Sequence, residues 1–284
     1  MKFGVISFPG SCDDGDARAA CARAGEVVAL WHADHDLQGV DAVIVPGGFS
    51  YGDYLRPGAI ARFSPIMTEV IEFARAGGHV MGICNGFQVC CEAGLLPGAL
   101  LTNSGRRFLC RQVSLEVINT ATPFTSGLTE GERLSIPVKH TSGRYYAPPE
   151  ALAALEASGQ VVLRYAPGEN PNGSLGDIAG VVNEARNVFG LMPHPEHAVD
   201  PLTGSADGLA LFSSLAASVA SAAPACAGPG RGCGAGSARC GAERRGHPRR
   251  RRCGRRALRR RRASVLPPVA NARWRSACAP RSTT

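Results

Sequence analysis

Four apolar runs, "KFGVISF", "EVVALW", "DAVIVPGG" and "HVMGIC", are interleaved with segments of helical pattern in the first hundred residues. "ARAACARAG" stops at Gly25, and "SPIMTEVIEFARAGG" places Ile66, Val70 and Phe73 at helical spacing before Gly77 and Gly78. "NGFQVCCEAGLL" reads as a third helix, and Asp13, Asp14 and Asp16 sit where the acids that start a helix belong. Strands in this alternation pair in parallel, because each crossover needs a helix's length of chain. The expected class is α/β, a doubly wound, mostly parallel sheet. "DAVIVPGG" has the unbroken apolar character of a strand covered on both faces.

The second half changes character. "QVSLEVI", "RLSIPVKH", "VVLRYA", "IAGVVN" and "NVFGLMPH" read as strands with little room for helices, added to the sheet or forming a small antiparallel layer. The Asn172-Gly173 pair reads as a hairpin turn signal. "DGLALFSSLAASV" closes the region as a helix, with Leu209, Phe212, Leu215, Ala216 and Val219 on one face.

Charge divides the chain in two. Residues 1–222 carry 14 Lys+Arg against 22 Asp+Glu, whereas residues 223–284 carry 17 Arg, no Lys and one acid, Glu243. The overall net charge of +8 therefore describes neither part. The first part has the apolar content of a folded domain, and the Arg-rich tail lacks the large apolar residues needed to offset its ordering entropy. The tail is expected to be disordered. The N-terminus lacks a signal-peptide pattern, and no run reaches the 18 apolar residues of a membrane span. A cytoplasmic, reduced setting is expected for the 11 cysteines, acting as buried side chains or nucleophiles rather than disulfides.

Four turn motifs fall at carboxyl ends of expected strands: "FPG" (8–10), "PGG" (46–48), "GIC" (82–84) and "PHPE" (193–196). Ligands of open α/β sheets bind at that edge. Gly82-Ile83-Cys84-Asn85-Gly86 has the form of a nucleophile elbow, a sharp strand-to-helix turn whose flanking glycines avoid collisions. Cys84 would sit at a helix N-terminus, where the dipole favours a thiolate. Cys90 and Cys91 would lie roughly 9–10 Å further along the helix axis, too far to pair with Cys84, and read as core. In "MPHPEH", prolines hold His194 in an expected extended strand end. Glu196 then shares its face and can orient the ring, and His197 points away. That is the base-plus-orienter half of a triad. Gly48 of "PGG" and the backbone N–H of Asn85 are the candidate oxyanion donors. The chain shows no paired metal-ligand spacing, so no metal site is expected.

"GICNGFQ" followed by "PHPE" resembles the class I glutamine amidotransferases. These have a flavodoxin-like α/β fold and a Cys-His-Glu triad in this order. Within them, "FPGS", "PGGFSYGDYLRPGAIARFSP", "NPNGS…IAGVVNEARNVFGLMPHPEH" and "DPLTGSADGLALF" resemble the glutaminase subunits of phosphoribosylformylglycinamidine synthase, a purine-biosynthesis enzyme. The resemblance spans residues 1 to about 220. It implies that Cys84 attacks L-glutamine, Gly48 and Asn85 hold the oxyanion, His194 moves the proton and Glu196 orients His194. It also implies substrate contacts from Gln88 and Arg107. The partners implied are a synthetase subunit holding formylglycinamide ribonucleotide, with ATP and Mg, and a small accessory subunit. No cofactor is expected in this chain, which has no P-loop pattern and only two lysines, Lys2 and Lys139. "FPGSCDDGD" lacks the Asn that usually follows "FPGS", and "VKHTSGRYY" has Thr141-Ser142 where an acid is usual.

Two other readings stand beside this one. An elbow-cysteine hydrolase of the same fold would usually carry His directly after the Cys, where this chain has Asn85. Nucleic-acid binding could rest on the Arg-rich tail, which lacks an RNA-binding motif and regular aromatic interleaving. The tail also has the composition of GC-rich DNA read in a wrong frame, and the family-like sequence stops near where it begins. Intact mass of the protein from its native source tests this: a mass that excludes residues 223–284 is expected, and one that includes them overturns the reading.

Overall fold

The computed structural model describes residues 1–222. The disorder, nucleic-acid and frame readings of residues 223–284 lie outside the described residues. The expected N-terminal alternation is present as β1 (Lys2–Ser7), α1 (Asp14–Cys21), β2 (Glu26–Trp31), β3 (Ala42–Val45), α2 (Pro65–Arg75), β4 (His79–Ile83) and α3 (Asn85–Glu92). β3 is buried at all four positions, as an apolar run between two covered faces should be. Full burial of residues such as Ile44 and Val45 contributes about 1.5–3 kcal/mol each. In α2, Ser64 precedes a Pro at the first position, and Ile66, Val70 and Ala74 are buried at one-turn intervals with Met67 beside them.

The second half supplies β5 (Ala99–Leu101), β6 (Leu109–Val117), β7 (Arg133–His140), β8 (Arg144–Tyr146), α4 (Pro149–Ala157), β9 (Val161–Tyr165), β10 (Ile178–Val182), β11 (Val188–Leu191) and α5 (Leu209–Ala222). One nine-stranded sheet runs in the order β2-β1-β3-β4-β11-β10-β9-β6-β7. Its first five strands are parallel and the pairs beyond β11 are antiparallel. The parallel part has the 2-1-3-4-5 order of a flavodoxin-like sheet, with β11 as the fifth strand. The nine-stranded sheet is mixed, because β10, β9, β6 and β7 continue it, while β5 and β8 pair as a separate two-stranded antiparallel sheet.

Three sequence expectations change. α4 occupies a region read as having little room for helices. Its stretch "PEALAALEA" buries only Leu155 fully, so it has almost no apolar stripe to announce it. Asn172-Gly173 is not a two-residue hairpin: β9 and β10 are joined by residues 166–177, and of the pair only Gly173 has positive φ. Asn172 is instead fully buried and bonds the Gly143 carbonyl and the Tyr165 hydroxyl. In α5 the expected Phe212 and Leu215 are fully buried and Ala216 and Val219 pack against the core, while Leu211 joins that face as a fully buried residue and Leu209 is half-buried. Among the described residues, no helix is long and apolar enough to cross a membrane.

α3 packs on β3, β4 and β11, and it approaches β3 very closely. A Cβ on Gly86 would lie 1.8 Å from the Val45 carbonyl oxygen, and one on Gly82 would lie 2.7 Å from the Gly86 oxygen. Backbone atoms cannot rotate away from such a contact. Gly86→Ala is expected to lower stability by at least about 2–3 kcal/mol, read as the urea midpoint, or to prevent folding.

Candidate active site

β1, β3, β4 and β11 are neighbours in the sheet and run the same way. The turns that follow them, "FPG", "PGG", "GIC" and "PHPE", therefore meet at one edge. Cys84 joins β4 to α3 with φ 50° and ψ −103°, a strained backbone for a residue with a side chain. The glycine contacts described above hold that turn in place. Cys84 is nearly buried, 5% exposed, and its Sγ lies 3.9 Å from the Lys139 carbonyl oxygen. Cys90 and Cys91 are free thiols on the core side of α3. Burial pushes the Cys90 thiol up to about 12 and the Cys91 thiol well above its usual range.

His194 is completely buried, and its Nδ1 lies 2.7 Å from Glu196 Oε1. The pairing comes about differently from the expected extended strand end. β11 stops at Leu191, and Pro195–His197 form a 3-10 turn that folds Glu196 back onto the ring. The same turn reverses the expectation for His197, which does not point away. Its ring centroid is 5.5 Å from that of His194, and its Nε2 is 3.3 Å from Asp13 Oδ1. His194 Nε2 is buried with no fully formed hydrogen bond, and Cys84 is the acceptor within reach. Burial alone would lower the His194 pKa. The charges of Glu196 and Cys84, together with the Glu196 bond, overcome burial and raise it to about 10.

A small cavity opens beside Cys84, bordered by Gly48, Phe49, Asp53, Gln88, Phe108 and residues 139–142. Its volume of about 90 Å³ is well below the roughly 300–1,000 Å³ usual for cofactor pockets. Gly48, with φ 134°, presents backbone there, and a Cβ on it would lie 2.5 Å from the Cys12 nitrogen. Asn85 opens α3, where its own N–H has no intrahelical partner. Its side chain accepts from the Ser50 N–H at 3.0 Å and donates to Gln88 Oε1 at 2.8 Å and to Asp53 at 3.2 Å. Gln88 in turn donates to the Ser142 carbonyl. The unusual Ser142 thus meets Gln88 through its backbone, which any residue supplies. Arg107 is exposed and does not border the cavity, whereas its neighbour Phe108 does.

Sequence reasoning missed Asp13, which reads as one of the acids that start α1. It occupies the N-cap position but makes no side-chain cap, and is 2% exposed. Its carboxylate turns into the site instead, bonding the Lys139 ammonium and the His197 ring and lying 3.7 Å from His194 Nδ1. Asp13, His194, Glu196 and His197 bring their polar atoms within 4.8 Å of one another, and the carboxylates among them are engaged by Lys139 and the two rings. Lys139 already places a positive charge among them. His140 is held uncharged: burial and the His194 charge lower it to about 4, and its Nδ1–H donates to Asn103 Oδ1 at 3.1 Å.

A strained cysteine and the Gly48 backbone border one small cavity, with a buried His–Glu pair behind the cysteine and the Asn85 N–H just after it, a set that suits acyl transfer from a small amide. The sequence matches the model of the CobB/CobQ-like glutamine amidotransferase domain over residues 1–208. It is 61% identical over 218 residues to the phosphoribosylformylglycinamidine synthase subunit PurQ of Rubrobacter xylanophilus, covering 76% of this chain and 98% of that one. The chain belongs to the PurQ family of class I glutamine amidotransferases. The PurQ protein of Frankia casuarinae is 60% identical over 216 residues, which cover 75% of this chain and 92% of that one. A PurLQS structure from Thermotoga maritima matches with a TM-score of 0.70 at 46% identity, covering 75% of this chain and 96% of that one. Membership in the PurQ family covers the described fold, and the fold agrees with it.

The "GGFSYGDYLRPG" stretch borders the cavity through Gly48, Phe49 and Asp53, and its backbone is at positive φ at Tyr51, Asp53 and Leu55. Burial raises the Asp53 carboxyl to about 6, with the Asn85 bond opposing it. An acid whose folded pKa lies above its unfolded value of 3.8 costs stability above the folded pKa, and the cost disappears as pH falls between the two. Asp53→Asn is therefore expected to stabilise the protein by roughly 1 kcal/mol at pH 8, allowing for solvent screening of this half-buried group. Urea midpoints should show that gain vanishing below about pH 4.

Proposed function

We propose that this chain is the glutaminase of a phosphoribosylformylglycinamidine synthase, with Cys84 as nucleophile, His194 as acid and base, and Glu196 as orienter. The observation that carries the residue roles is the buried His194–Glu196 pair, whose free Nε2 faces a cysteine on a strained elbow. The assignment to this enzyme rests on the identity with PurQ proteins. That identity also favours this reading over another elbow-cysteine hydrolase of the same fold.

In the proposed reaction, the Cys84 sulfur attacks the side-chain carbonyl carbon of L-glutamine. The carbonyl oxygen takes up negative charge and is held by the N–H groups of Gly48 and Asn85. His194 passes its Nε2 proton to the amide nitrogen as the C–N bond breaks, releasing ammonia and leaving a glutamyl thioester. Water then attacks the thioester and gives its proton to His194, and glutamate departs as Cys84 is regenerated. Glu196 keeps the other ring nitrogen protonated throughout, so that Nε2 remains the working atom. Gln88 is suited to the wall of the glutamine site, fixed between Asn85 and Ser142. Arg107 could serve only from outside the cavity as it now stands.

Free ammonia in neutral water becomes unreactive ammonium, so the reading requires an acceptor on a partner. The synthetase subunit fills that role, with ATP and Mg bound there and a small accessory subunit completing the assembly. The PurLQS assembly from Thermotoga maritima supports such partners. A cytoplasmic setting suits a chain whose six described cysteines are all free thiols.

Glutamate release from glutamine, with and without the synthetase subunit, tests the reading. Cys84→Ala is expected to lower the rate at least about a thousandfold. Cys90→Ala and Cys91→Ala should keep activity and lose about 1 kcal/mol of stability at most. Full activity in Cys84→Ala would end the proposal.

A further inference from the structure

We infer that Asp13 is a positioning residue for catalysis, a second carboxylate that shares the His194 imidazolium with Glu196 and ties it to Lys139. The inference rests on the proposed role of His194 and extends it to a residue outside the triad.

Three geometric observations carry it. Asp13 is 2% exposed, yet it caps no helix, so its burial serves neither solvation nor α1. Its two oxygens divide their partners: Oδ2 faces His194 Nδ1 at 3.7 Å, and Oδ1 meets the Lys139 ammonium and His197 Nε2. The chain also gives up a side chain to bring the two together. A Cβ on Gly47 would lie 2.5 Å from Asp13 Oδ2 and 2.8 Å from His194 Cε1. An alanine there would wedge the carboxylate from the ring.

The charged and titratable groups around His194 come from four elements. Glu196 and His197 share its turn, Asp13 comes from the start of α1, Cys84 from the elbow, and Lys139 and His140 from β7. His140 is uncharged near neutral pH. Burial alone would raise the Asp13 carboxyl. The bonds to His197 and Lys139 and the His194 charge hold it well below the usual range, so it is ionised at any working pH. Two carboxylates thus face the ring, and one of them is partly neutralised by Lys139. Lys139 lies within electrostatic reach of Cys84, and its carbonyl oxygen touches the Cys84 sulfur. Asp13 therefore fixes the lysine against the nucleophile and stabilises the proton on the imidazole.

Removing a nearby negative charge lowers the pKa of a cation. In Asp13→Asn, the alkaline limb of the reaction, where His194 loses its proton, should move down by about one pH unit. kcat should fall roughly tenfold, with KM within about twofold, because Asn keeps the size of the side chain where Asp13 borders the cavity. Lys139→Met leaves Asp13 uncompensated beside the ring, and should move the same limb up. It provides an independent test if Asp13→Asn does not fold.

The experiment uses the full chain with its synthetase subunit and measures the rate of Cys84 capture by 6-diazo-5-oxonorleucine from about pH 6 to about pH 11.5, a window that brackets the His194 limb on both sides. The diazo carbon must be protonated before the thiolate displaces N2, so capture depends on an acid in the site, as ammonia release does. Opposite displacements of the limb in the two variants support the inference. An Asp13→Asn limb that coincides with wild type, or a Lys139→Met limb that does not rise, overturns it. Failure of the wild-type chain to be captured at Cys84 would instead overturn the nucleophile assignment.

Discussion

The tight approach of α3 to β3 is the contact on which the site depends. The Gly86 backbone lies against the Val45 carbonyl so closely that no side chain fits between them. That contact fixes where α3 begins relative to the sheet, and so forces the turn at Cys84 into a backbone few residues tolerate. A looser helix would let the turn relax and would carry the thiol away from His194. The strain is local, whereas the packing that maintains it is spread over the parallel strands and costs little at any one position.

Electrostatics are arranged around that fixed point. The parallel strands supply the elbow, the backbone donors and the His–Glu turn, and the antiparallel extension supplies Lys139 and His140 from β7. The two halves of the sheet therefore have distinct duties. One carries the proposed reacting atoms and the carboxylates beside His194, and the other adds the Lys139 ammonium. The carbonyl of Pro137, also on β7, accepts from the His194 N–H at 2.8 Å, so both halves are joined at the residue proposed to move the proton.

Much of this was legible in the sequence, for identifiable reasons. The parallel strands are short apolar runs with clear turn residues after them, and those turns lie at one edge whatever the details of the sheet. The elbow announces itself through Gly82 and Gly86, since only a close backbone approach requires both. The His194–Glu196 pairing was anticipated for an imperfect reason: spacing suggested an extended strand, and a 3-10 turn achieved it. Asp13 was illegible, because an acid before a helix has an ordinary explanation. Only the tertiary position of Lys139, 126 residues away, shows that another applies. The helix "PEALAALEA" was missed since its burial is slight, leaving no periodic signal to read.

The complete burial of His194 has a consequence for proton traffic in the proposed reaction. The ring meets no solvent: Glu196 holds its Nδ1, and its Nε2 faces Cys84. In that reaction the proton delivered to the departing nitrogen is one the ring held before the substrate arrived, and the hydrolytic water replaces it. Each turnover then runs on one mobile proton, loaned in the first half-reaction and recovered in the second.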